Sequence, residues 1–536
     1  MEKNILKSKL YLYLTEFISG MAVMAVEQGA SRLLAPYFSS SQIVWTIIIG
    51  TIMIAMALGN IFGGRWADKD PDPAKLFRRI MLAAIWIAAI PLLGKYIIIG
   101  ITGILIVTIS TNLLIWAAFL ACMIIFVFPL FLLGTVTPSL IRYTVSDLDE
   151  SGSIAGGLGA CNTVGSILGT FLPTFVTIPT AGTAATFLIF AGLLLVLSAL
   201  YFIVNGGGRK TIAVSMIVFL ICAAFGHSSD FAFWEKDLAF EGESIYNYLQ
   251  VRDTPDATIL STNVMFGVQS IRKKNENLTG MYYDYALMAP VMAGLTESST
   301  GDEKPSVLIL GMGTGTFAAQ CARYFPEAEV SGVEIDEKIT DLAHKYFELP
   351  ESVSVETYDG RAYLNADSKK YDVIMVDAYQ DITIPFQMSS VEFFSMVRDH
   401  LKENGVMVVN LNMYDGDGET ITSYLSDTIA SVFADVSVVD VSGSTNRELF
   451  ASNNAELRKG MAAAVEKVPD KELKAMLEMS SEELKEWHST GNIFTDDRAP
   501  VELMGIKTID GLINSEIQYY KDVFRKKGFS GLLNEI

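Results

Sequence analysis

The chain has 536 residues, which is too long for one compact domain and predicts two or three. Its mean hydropathy is +0.35, and the apolar excess is concentrated in the first 227 residues. Those residues carry 13 basic and 9 acidic side chains, whereas the rest carries 27 and 51, a net charge of −24. So acidic a portion argues against nucleic-acid binding, which draws on clustered Lys and Arg. It favours either a cationic ligand such as an amine or simply a well-solvated acidic surface.

Cysteine and histidine are both scarce, with four of each in the chain. They form neither a CxxC motif nor a Cys/His cluster, so the sequence predicts neither a zinc site nor a disulfide scaffold. We therefore expect no metal and no histidine-based catalysis.

Apolar stretches of about 20 residues, the length that crosses a bilayer, recur through the first 230 residues. They predict a multi-span α-helical membrane domain of seven to eight helices at 1–230, with the lipid bilayer as a partner. The expected location is the inner or plasma membrane, as a multi-pass protein. The seven stretches are 10–32, 43–63, 79–99, 113–137, 154–178, 183–204 and 211–227.

Basic residues near the ends of these stretches predict which side faces the cytoplasm. Three lysines precede the first stretch, five basic residues follow the second and two follow the sixth, so the N-terminus is expected inside. Seven spans would leave the C-terminal portion outside. If the nearly unbroken stretch 79–143 crosses three times, or if 211–227 is re-entrant, that portion returns to the cytoplasm. The charge pattern leaves these alternatives open.

Beyond residue 234 the apolar spans give way to short strand-like runs and then to alternating strands and helices. We predict a small β-rich substrate-side domain at 235–295, a Rossmann-like α/β domain at 300–515 and a C-terminal tail at 516–536. The alternation predicts a parallel, doubly wound sheet. Its strands are expected at 306–310, 329–334, 353–357, 371–377 and 405–411, and its helices near 315–325, 336–347 and 390–402.

A glycine-rich loop follows the first strand of this alternation, in VLILGMGTGT. Gly311, Gly313 and Gly315 let the backbone approach a ligand closely and precede a helix with free N–H groups. The next strand ends at Glu334 in GVEID, where an acidic side chain accepts hydrogen bonds from both ribose hydroxyls. We therefore predict the three glycines, Glu334 and Asp336 as nucleoside-binding residues. A dehydrogenase would share this much of the pattern.

The third and fourth strand ends distinguish an S-adenosylmethionine-type site from the NAD site of a dehydrogenase. Asp359 and Gly360 follow the third strand in YDGRAYL, where a carboxylate can meet an adenine amino group. Asp377 ends the fourth strand in YDVIMVDAY, and ligands of open α/β sheets bind at such ends. The four strand ends together favour an S-adenosylmethionine-type site over an NAD site or a purely structural fold. Because such nucleosides are made in the cytoplasm, we expect the catalytic domain there.

Several motifs, in order along the chain, resemble those of the spermidine synthase (polyamine aminopropyltransferase) family. They are GESIYNYLQV, FGVQSI, VLILGMGTGT, GVEID, YDGRAYL and VDAY. The apolar half, with EQGASRLLAPYF and FLLGTVTPSLIR, resembles the bacterial branch in which a multi-span membrane region precedes such a domain.

This resemblance implies an enzyme that moves an aminopropyl or related alkyl group to a small amine or polyamine, releasing methylthioadenosine. The co-substrate would be S-adenosylmethionine or its decarboxylated form, and a homodimer is a further expectation. Asp377 would be the general base, Glu334 would hold the ribose and Asp359 the adenine. Gln269 and Tyr246 would contact the edges of the bound substrates.

The chain departs from the family pattern in the stretch LTGMYYDY at 278–285. The family usually has an acidic pair here that grips the aminopropyl amine, but this chain has Leu278 and Thr279. Asp284 keeps a later carboxylate and is a predicted substrate-binding residue. Tyr282 and Tyr283 are candidates to contact a cation through their ring faces, with a core role as the alternative.

The segment FTDDRAPVE at 494–502 is a candidate to close the site, with Asp496 or Asp497 supplying the lost negative charge. We include Asp497 among the predicted substrate-binding residues, and a plain turn is the alternative. Two other functions stay open. One is methyl transfer or acceptor-free cleavage of S-adenosylmethionine, and the other is a transporter or sensor that binds nucleoside without turnover.

Overall fold

The computed structural model divides into two compact units. The first comprises Met1–Glu235, Glu241–Leu249 and Asn263–Met265, and the second Lys236–Phe240, Gln250–Thr262 and Phe266–Ile536. The structure describes residues 9–108, 112–145, 151–228, 230–233, 235–263, 267–296, 303–379, 384–412, 414, 418–505, 507, 508, 511, 518, 525 and 526. Most of the predicted tail at 516–536 therefore lies outside the described residues. The predicted domain borders stay predictions.

Helices, most of them long and apolar, make up most of the first unit. In chain order they are α1 (Lys9–Phe38), α2 (Gln42–Lys69), α3 (Pro73–Thr108), α4 (Leu113–Ile125), α5 (Val127–Gly134), α6 (Val136–Thr144), α7 (Ser151–Leu172), α8 (Ile178–Val204) and α9 (Arg209–Phe225). A π-helical turn, Pro173–Thr177, joins α7 to α8. Ser41 caps α2 by accepting a hydrogen bond from the N–H of Val44 at 3.4 Å.

Length and composition allow four of the described helical stretches to cross a membrane. They are Lys9–Phe38, Gln42–Lys69, Pro73–Leu105 and Ser151–Val204. A fifth results if Leu113–Ile125 and Val127–Thr144, bent by 48°, count as one span. Two of the seven predicted spans fall in the single 54-residue stretch, which is broken at Gly182 by non-helical backbone. The number of spans and their membrane nature stay predictions.

Helices α1 and α7 pack closely because small residues line their contact. A Cβ added to Gly165 would lie 2.1 Å from the carbonyl oxygen of Phe17, and one added to Gly169 would lie 2.1 Å from that of Met21. Such approach of backbones is typical of helices that pack through small residues.

A four-stranded sheet contains β1 (Leu238–Glu243), β2 (Tyr248–Asp253), β3 (Ala257–Thr262) and β4 (Ser270–Lys273), side by side in chain order. Strands β3 and β4 pair antiparallel, with Leu260 opposite Ser270. The small β-sheet that the sequence predicts is therefore confirmed. The division between the units runs through β1 and β2, which contribute residues to both.

An eight-stranded sheet forms the centre of the second unit. Its strands are β5 (Ser306–Leu310), β6 (Glu329–Glu334), β7 (Ser354–Thr357), β8 (Tyr371–Val376), β9 (Leu401–Leu411), β10 (Asp435–Asp440), β11 (Arg447–Ser452) and β12 (Lys485–Glu486). Their spatial order is β12-β10-β11-β9-β8-β5-β6-β7. Strands β5 to β9 are mutually parallel and match the five predicted strands, which are thereby confirmed.

The sheet extends beyond these five parallel strands with antiparallel strands that the sequence analysis did not predict. Strand β11 runs antiparallel to β9, and β10 runs antiparallel to both β11 and β12. A hairpin rather than a crossover helix connects β10 to β11, so their pairing is antiparallel. An antiparallel edge on an otherwise parallel sheet is common in α/β folds.

The described helices of the second unit lie on both faces of this sheet. They are α10 (Tyr282–Ala286), α11 (Met288–Met292), α12 (Thr316–Tyr324), α13 (Glu337–Tyr346), α14 (Gly360–Ala366), α15 (Val391–Asp399), α16 (Ile421–Ala430), α17 (Glu456–Lys459), α18 (Met461–Val465) and α19 (Lys471–Glu482). Alternate residues of β5 enter two separate apolar cores, Val307 with α10 and α11, and Leu308 with α15 and α16. The three predicted helices, now α12, α13 and α15, are confirmed.

Candidate active site

The glycine loop lies where β5 and β8 end side by side, which is where the strand order reverses. A Cβ on Gly311 would lie 2.5 Å from the Cα of Ala378, and its φ of +82° is also a conformation that favours glycine. Gly315, with φ +83°, immediately precedes α12. Nucleotide ligands of open α/β sheets bind at this reversal of strand order.

Glu334 ends β6 and faces this loop. It accepts hydrogen bonds from the N–H of Gly313 at 2.9 Å and from the N–H of Asp336 at 3.1 Å. Burial raises the pKa of the Glu334 carboxyl to about 7. Asp336 is also buried, and its carboxylate caps α13 by accepting from the N–H of Lys338 at 3.1 Å. Asp336 therefore caps a helix next to the glycine loop, and nucleoside binding by Asp336 stays a prediction.

Asp359 and Gly360 lie at the adjacent strand end. Asp359 caps α14 by accepting from the N–H of Ala362 at 2.8 Å, and Gly360 begins that helix. Arg361, the next residue, forms a salt bridge with Asp496 at 2.6 Å. Three predicted nucleoside-binding elements, the glycine loop, Glu334 and Asp359, are thus brought to one edge of the sheet.

Asp377 follows β8 at the same edge and is partly accessible. The hydroxyl of Tyr282 donates to its Oδ2 at 2.7 Å, and the Nδ2 of Asn410 donates to its Oδ1 at 3.0 Å. Desolvation raises the pKa of the Asp377 carboxyl to about 7, although both hydrogen bonds act to lower it. A carboxylate with that pKa can take up and release a proton at neutral pH.

Two buried tyrosines cover this carboxylate. The rings of Tyr282 and Tyr283 lie 3.9 Å apart between centroids. Tyr283 donates its hydroxyl proton to the carbonyl oxygen of Gln269 at 2.7 Å. The contact between the two rings, with one hydrogen bond at each end, therefore links the backbone of Gln269 to Asp377. Substrate contact by the side chain of Gln269 stays a prediction.

Asn410, near the end of β9, is a site residue that the sequence reasoning missed. Its side-chain oxygen accepts from the Nδ2 of Asn446 at 2.8 Å, while its amide donates to Asp377. The hydroxyl of Tyr379 donates to its backbone carbonyl and accepts from the N–H of Asn412 at 2.9 Å. The available signal was a polar residue within the apolar run VMVVNL, at the fifth strand end.

Asp284 has contacts that are all internal to the chain. Its carboxylate is buried and accepts from the backbone N–H groups of Thr279 and Gly280, from the Thr279 hydroxyl and from the Gln320 amide. These distances run from 2.6 to 3.0 Å. The carboxylate therefore holds the loop before α10, and direct substrate binding by Asp284 stays a prediction.

The two remaining substrate-binding predictions fall outside this group. Tyr246 lies between β1 and β2 in the first unit and is 44% exposed. Asp497 is exposed in the turn between Thr495 and Arg498. Its neighbour Asp496 is the carboxylate that pairs with Arg361 of α14. The structure thus favours Asp496 over Asp497 as the residue that ties this segment to α14.

A cavity of about 390 Å³ lies beside the glycine loop. Its lining includes Thr314, Gly315 and Gln320, and its charged lining residues are Arg272, Lys273, Glu276, Arg323 and Glu348. Asp377 and Glu334 are not among its lining residues. The cavity is therefore separate from Asp377 and Glu334, although Gln320 in its lining binds Asp284.

Three features of this site are together typical of Rossmann-like, nucleoside-dependent transferases. They are a glycine loop at a strand-order reversal, an acidic residue at the next strand end and a desolvated aspartate. Comparison with known proteins then gives the family.

The spermine/spermidine synthase domain family matches residues 289–442. A probable polyamine aminopropyl transferase of Bifidobacterium longum (strain NCC 2705) is 49% identical over 357 residues, covering 63% of this chain and 78% of that protein. The polyamine aminopropyltransferase of Vibrio vulnificus (strain CMCP6) is 27% identical over 226 residues, covering 40% and 74%. A crystal structure of a probable spermidine synthase from Corynebacterium glutamicum ATCC 13032 superposes with a TM-score of 0.36 at 19% identity, covering 42% and 86%.

The chain belongs to the polyamine aminopropyltransferase (spermidine synthase) family, and it is an enzyme of that type. The family resemblance seen in the sequence motifs is thereby confirmed.

Proposed function

We propose that this enzyme is embedded in a membrane and transfers an aminopropyl group from decarboxylated S-adenosylmethionine to a small amine or polyamine. The observation that carries the proposal is Asp377. A carboxylate with a pKa of about 7 stands at the strand-order reversal, between the Tyr282 hydroxyl and the Asn410 amide. Asp377 therefore lies at the ligand-binding edge of the sheet and can take up a proton at neutral pH, as the transfer reaction requires of its general base.

The chemistry needs an uncharged amine. Most aliphatic amines are protonated at neutral pH and cannot attack until the proton leaves. The freed nitrogen attacks the carbon next to the sulfonium, a C–N bond forms, the C–S bond breaks and methylthioadenosine leaves as a neutral thioether. Asp377 takes the proton from the ammonium before this attack and becomes neutral, and the product amine carries the positive charge that the sulfonium loses.

The nucleoside part of the donor would lie along the adjacent strand ends. The glycine loop lets the donor approach the protein backbone closely. Glu334 offers carboxylate oxygens to the ribose, and Asp359 offers one to the adenine. The hydrogen bonds of Glu334 to Gly313 and Asp336 support this by fixing its carboxylate before a ligand arrives.

The helices of the first unit support the membrane part of the proposal. Their length and composition suit a bilayer, and their flanking basic residues favour a cytoplasmic N-terminus. We place the catalytic unit in the cytoplasm, where the donor is made. Retention of the full chain in membranes after an alkaline carbonate wash would support it, and release into the supernatant would contradict it.

The test of the reaction is product analysis by mass spectrometry. Purified full-length protein is incubated with S-adenosylmethionine or with its decarboxylated form, each with and without di- and polyamines. Methylthioadenosine that forms only from the decarboxylated donor plus an amine supports aminopropyl transfer. No nucleoside product, although nucleoside binds, would contradict it and favour a transporter or sensor.

The loop before α10 suggests a second candidate reaction. Thr279, which stands where the family has an acidic residue, uses its N–H and its hydroxyl to bind Asp284. Residues 278 and 279 therefore present no carboxylate to the donor's amine. Methylthioadenosine from S-adenosylmethionine without an acceptor would establish a lyase, and S-adenosylhomocysteine would establish a methyltransferase.

A further inference from the structure

Glu16, in α1, is a buried acidic residue that the reaction described above does not use. It is 0% exposed and lies about 10 Å along the helix from Lys9, within the first apolar stretch. Its Oε1 accepts hydrogen bonds from the Thr137 hydroxyl at 2.5 Å and from the Asn162 amide at 2.7 Å. Its Oε2 has no hydrogen-bond partner among the described residues. Both partners of Oε1 are neutral, so they leave the negative charge of the carboxylate uncompensated.

Ser19, one helical turn after Glu16, is in the same condition. It is 3% exposed, and its hydroxyl oxygen has no hydrogen-bond partner among the described residues. Residues three apart are neighbours on a helix surface, so two neighbouring side chains of α1 each keep a buried oxygen without a partner. Buried polar groups almost always have partners, which calls for a specific explanation. A proton on Glu16 would remove its charge but leave the Ser19 hydroxyl unsatisfied, whereas one guest with several donors would satisfy both.

The chemistry of this pair defines the guest. An uncompensated carboxylate requires a positive charge, and two orphaned oxygens require two donors. An alkylammonium group has one charge and three N–H donors, and its hydrogen bonds to a carboxylate are charge-assisted. Divalent metal ions fit less well, because Ca²⁺ and Mg²⁺ need six or more oxygen ligands. In the part of the chain that the structure describes, no group of three or more His, Cys, Asp or Glu side chains could hold a metal ion.

The helices that contact Glu16 are interrupted ones. Thr137 belongs to the pair of helical stretches that is bent by 48°, and the helix of Asn162 continues through the π-helical turn into a helix broken at Gly182. Interrupted helices at membrane depth are typical of substrate sites in transporters. Glu27, which is partly buried, follows Glu16 by eleven residues, so it lies on nearly the same face of α1 about 16 Å further along. Acidic residues at two depths of one face are what a cation pathway needs.

We propose that the first unit carries small alkylammonium cations across the membrane, and that Glu16 and Ser19 bind the ammonium group on the way. The proposal rests on the membrane location proposed above, but it does not depend on the transfer reaction. The amines that the second unit is proposed to use and to make belong to this chemical class. One chain would then both modify amines and move them across the bilayer.

The test measures uptake of radiolabelled 1,4-diaminobutane into liposomes that contain the full-length protein, with no nucleoside donor present. Glu16→Gln removes the charge and keeps the shape, so we expect its initial rate of uptake to fall about tenfold or more. Asp68→Asn is the matched control, because it removes an exposed carboxylate of the same unit, paired with Arg142 at 3.5 Å. Its rate should stay within about twofold of wild type. Normal uptake by Glu16→Gln, or wild-type uptake no faster than that of protein-free liposomes, would overturn the proposal.

Folding and the two activities are controlled separately. Glu16→Gln should keep the wild-type Kd for methylthioadenosine, which binds in the other unit. If Glu16→Gln does not fold, Ser19→Ala decides, because it removes a hydroxyl that binds no described residue. It should raise the KM for uptake about three- to tenfold, and an unchanged KM would overturn the site. Uptake without any transferase product would refute the transfer reaction and support transport, whereas release of the protein by the carbonate wash would refute the membrane location and transport with it.

Discussion

The two ends of the site are built differently. The nucleoside end consists of backbone turns and single acidic residues at successive strand ends, each fixed by its own neighbours, as Glu334 is by Gly313 and Asp336. The amine end is a network in which Asp377, Tyr282 and Asn410 come from three separate segments. A local motif therefore specifies the first end, and only the folded sheet specifies the second.

Removing the base tests the amine end most severely. Asp377→Asn should lower kcat by about 10²- to 10⁴-fold, the usual range for loss of a general base, and leave donor binding nearly unchanged. Asp372→Asn, at the start of the same strand, removes a carboxylate that binds Ser306 and Lys402 instead. That control should retain kcat. Comparable losses in both variants would show that Asp377 acts only through the fold.

The nucleoside end should respond in affinity rather than in rate. Glu334→Gln should raise the Kd for the donor by about 10- to 100-fold, because hydrogen bonds to a charged group contribute about 1.5–3 kcal/mol. Equilibrium binding of methylthioadenosine measures this. Glu329→Gln, at the exposed start of β6 and paired with Lys369, is the matched control. A normal Kd in Glu334→Gln would remove this residue from the ribose.

Tyr282→Phe should give a smaller effect with a distinctive pH signature. The Tyr282 hydroxyl lowers the pKa of Asp377, so its loss should raise that pKa. The base must be ionised to act, so kcat should rise with pH through about 7 in the wild type and only at higher pH in the variant. At pH 7 the kcat of the variant should therefore be about tenfold lower than that of the wild type. Tyr371→Phe, whose hydroxyl binds Asp367, should keep the wild-type profile. An unshifted profile in Tyr282→Phe would contradict the role of this hydrogen bond.

The smallest expected effect concerns stability. Burial raises the pKa values of both Asp377 and Glu334 to about 7, well above the values near 4 of unfolded carboxyls. Between these values the folded enzyme holds more protons than the unfolded chain, so its stability falls as pH rises from about 4 to about 7. The Tm of nucleoside-free enzyme should decrease across that window, and less steeply in Asp377→Asn. Equal slopes in both proteins would contradict the raised pKa of Asp377.

The same contrast explains what the sequence could predict. The five parallel strands and the loop at Gly311 follow from local runs and turns, so these were predicted within a few residues. The antiparallel hairpin of β10 and β11 was missed because it extends the alternation without a crossover helix. Asn410 was missed because its role depends on register across β8, β9 and β11 rather than on any neighbour in the chain.

Asp284 and Asp497 show a second limit of sequence reasoning. A carboxylate at the right position in a motif can bind either a ligand or its own loop. Asp284 binds the backbone of residues 279 and 280, and the neighbour of Asp497, rather than Asp497 itself, reaches Arg361. These contacts depend on side-chain direction, which the residue type alone does not determine.

The most direct test of aminopropyl transfer is to quantify both products in one incubation. Full-length enzyme is mixed with decarboxylated S-adenosylmethionine and a diamine, and methylthioadenosine and aminopropylated diamine are measured together by mass spectrometry. We predict equal amounts of the two products, and neither product when the diamine is left out. Methylthioadenosine that accumulates without aminopropylated diamine would contradict the assignment.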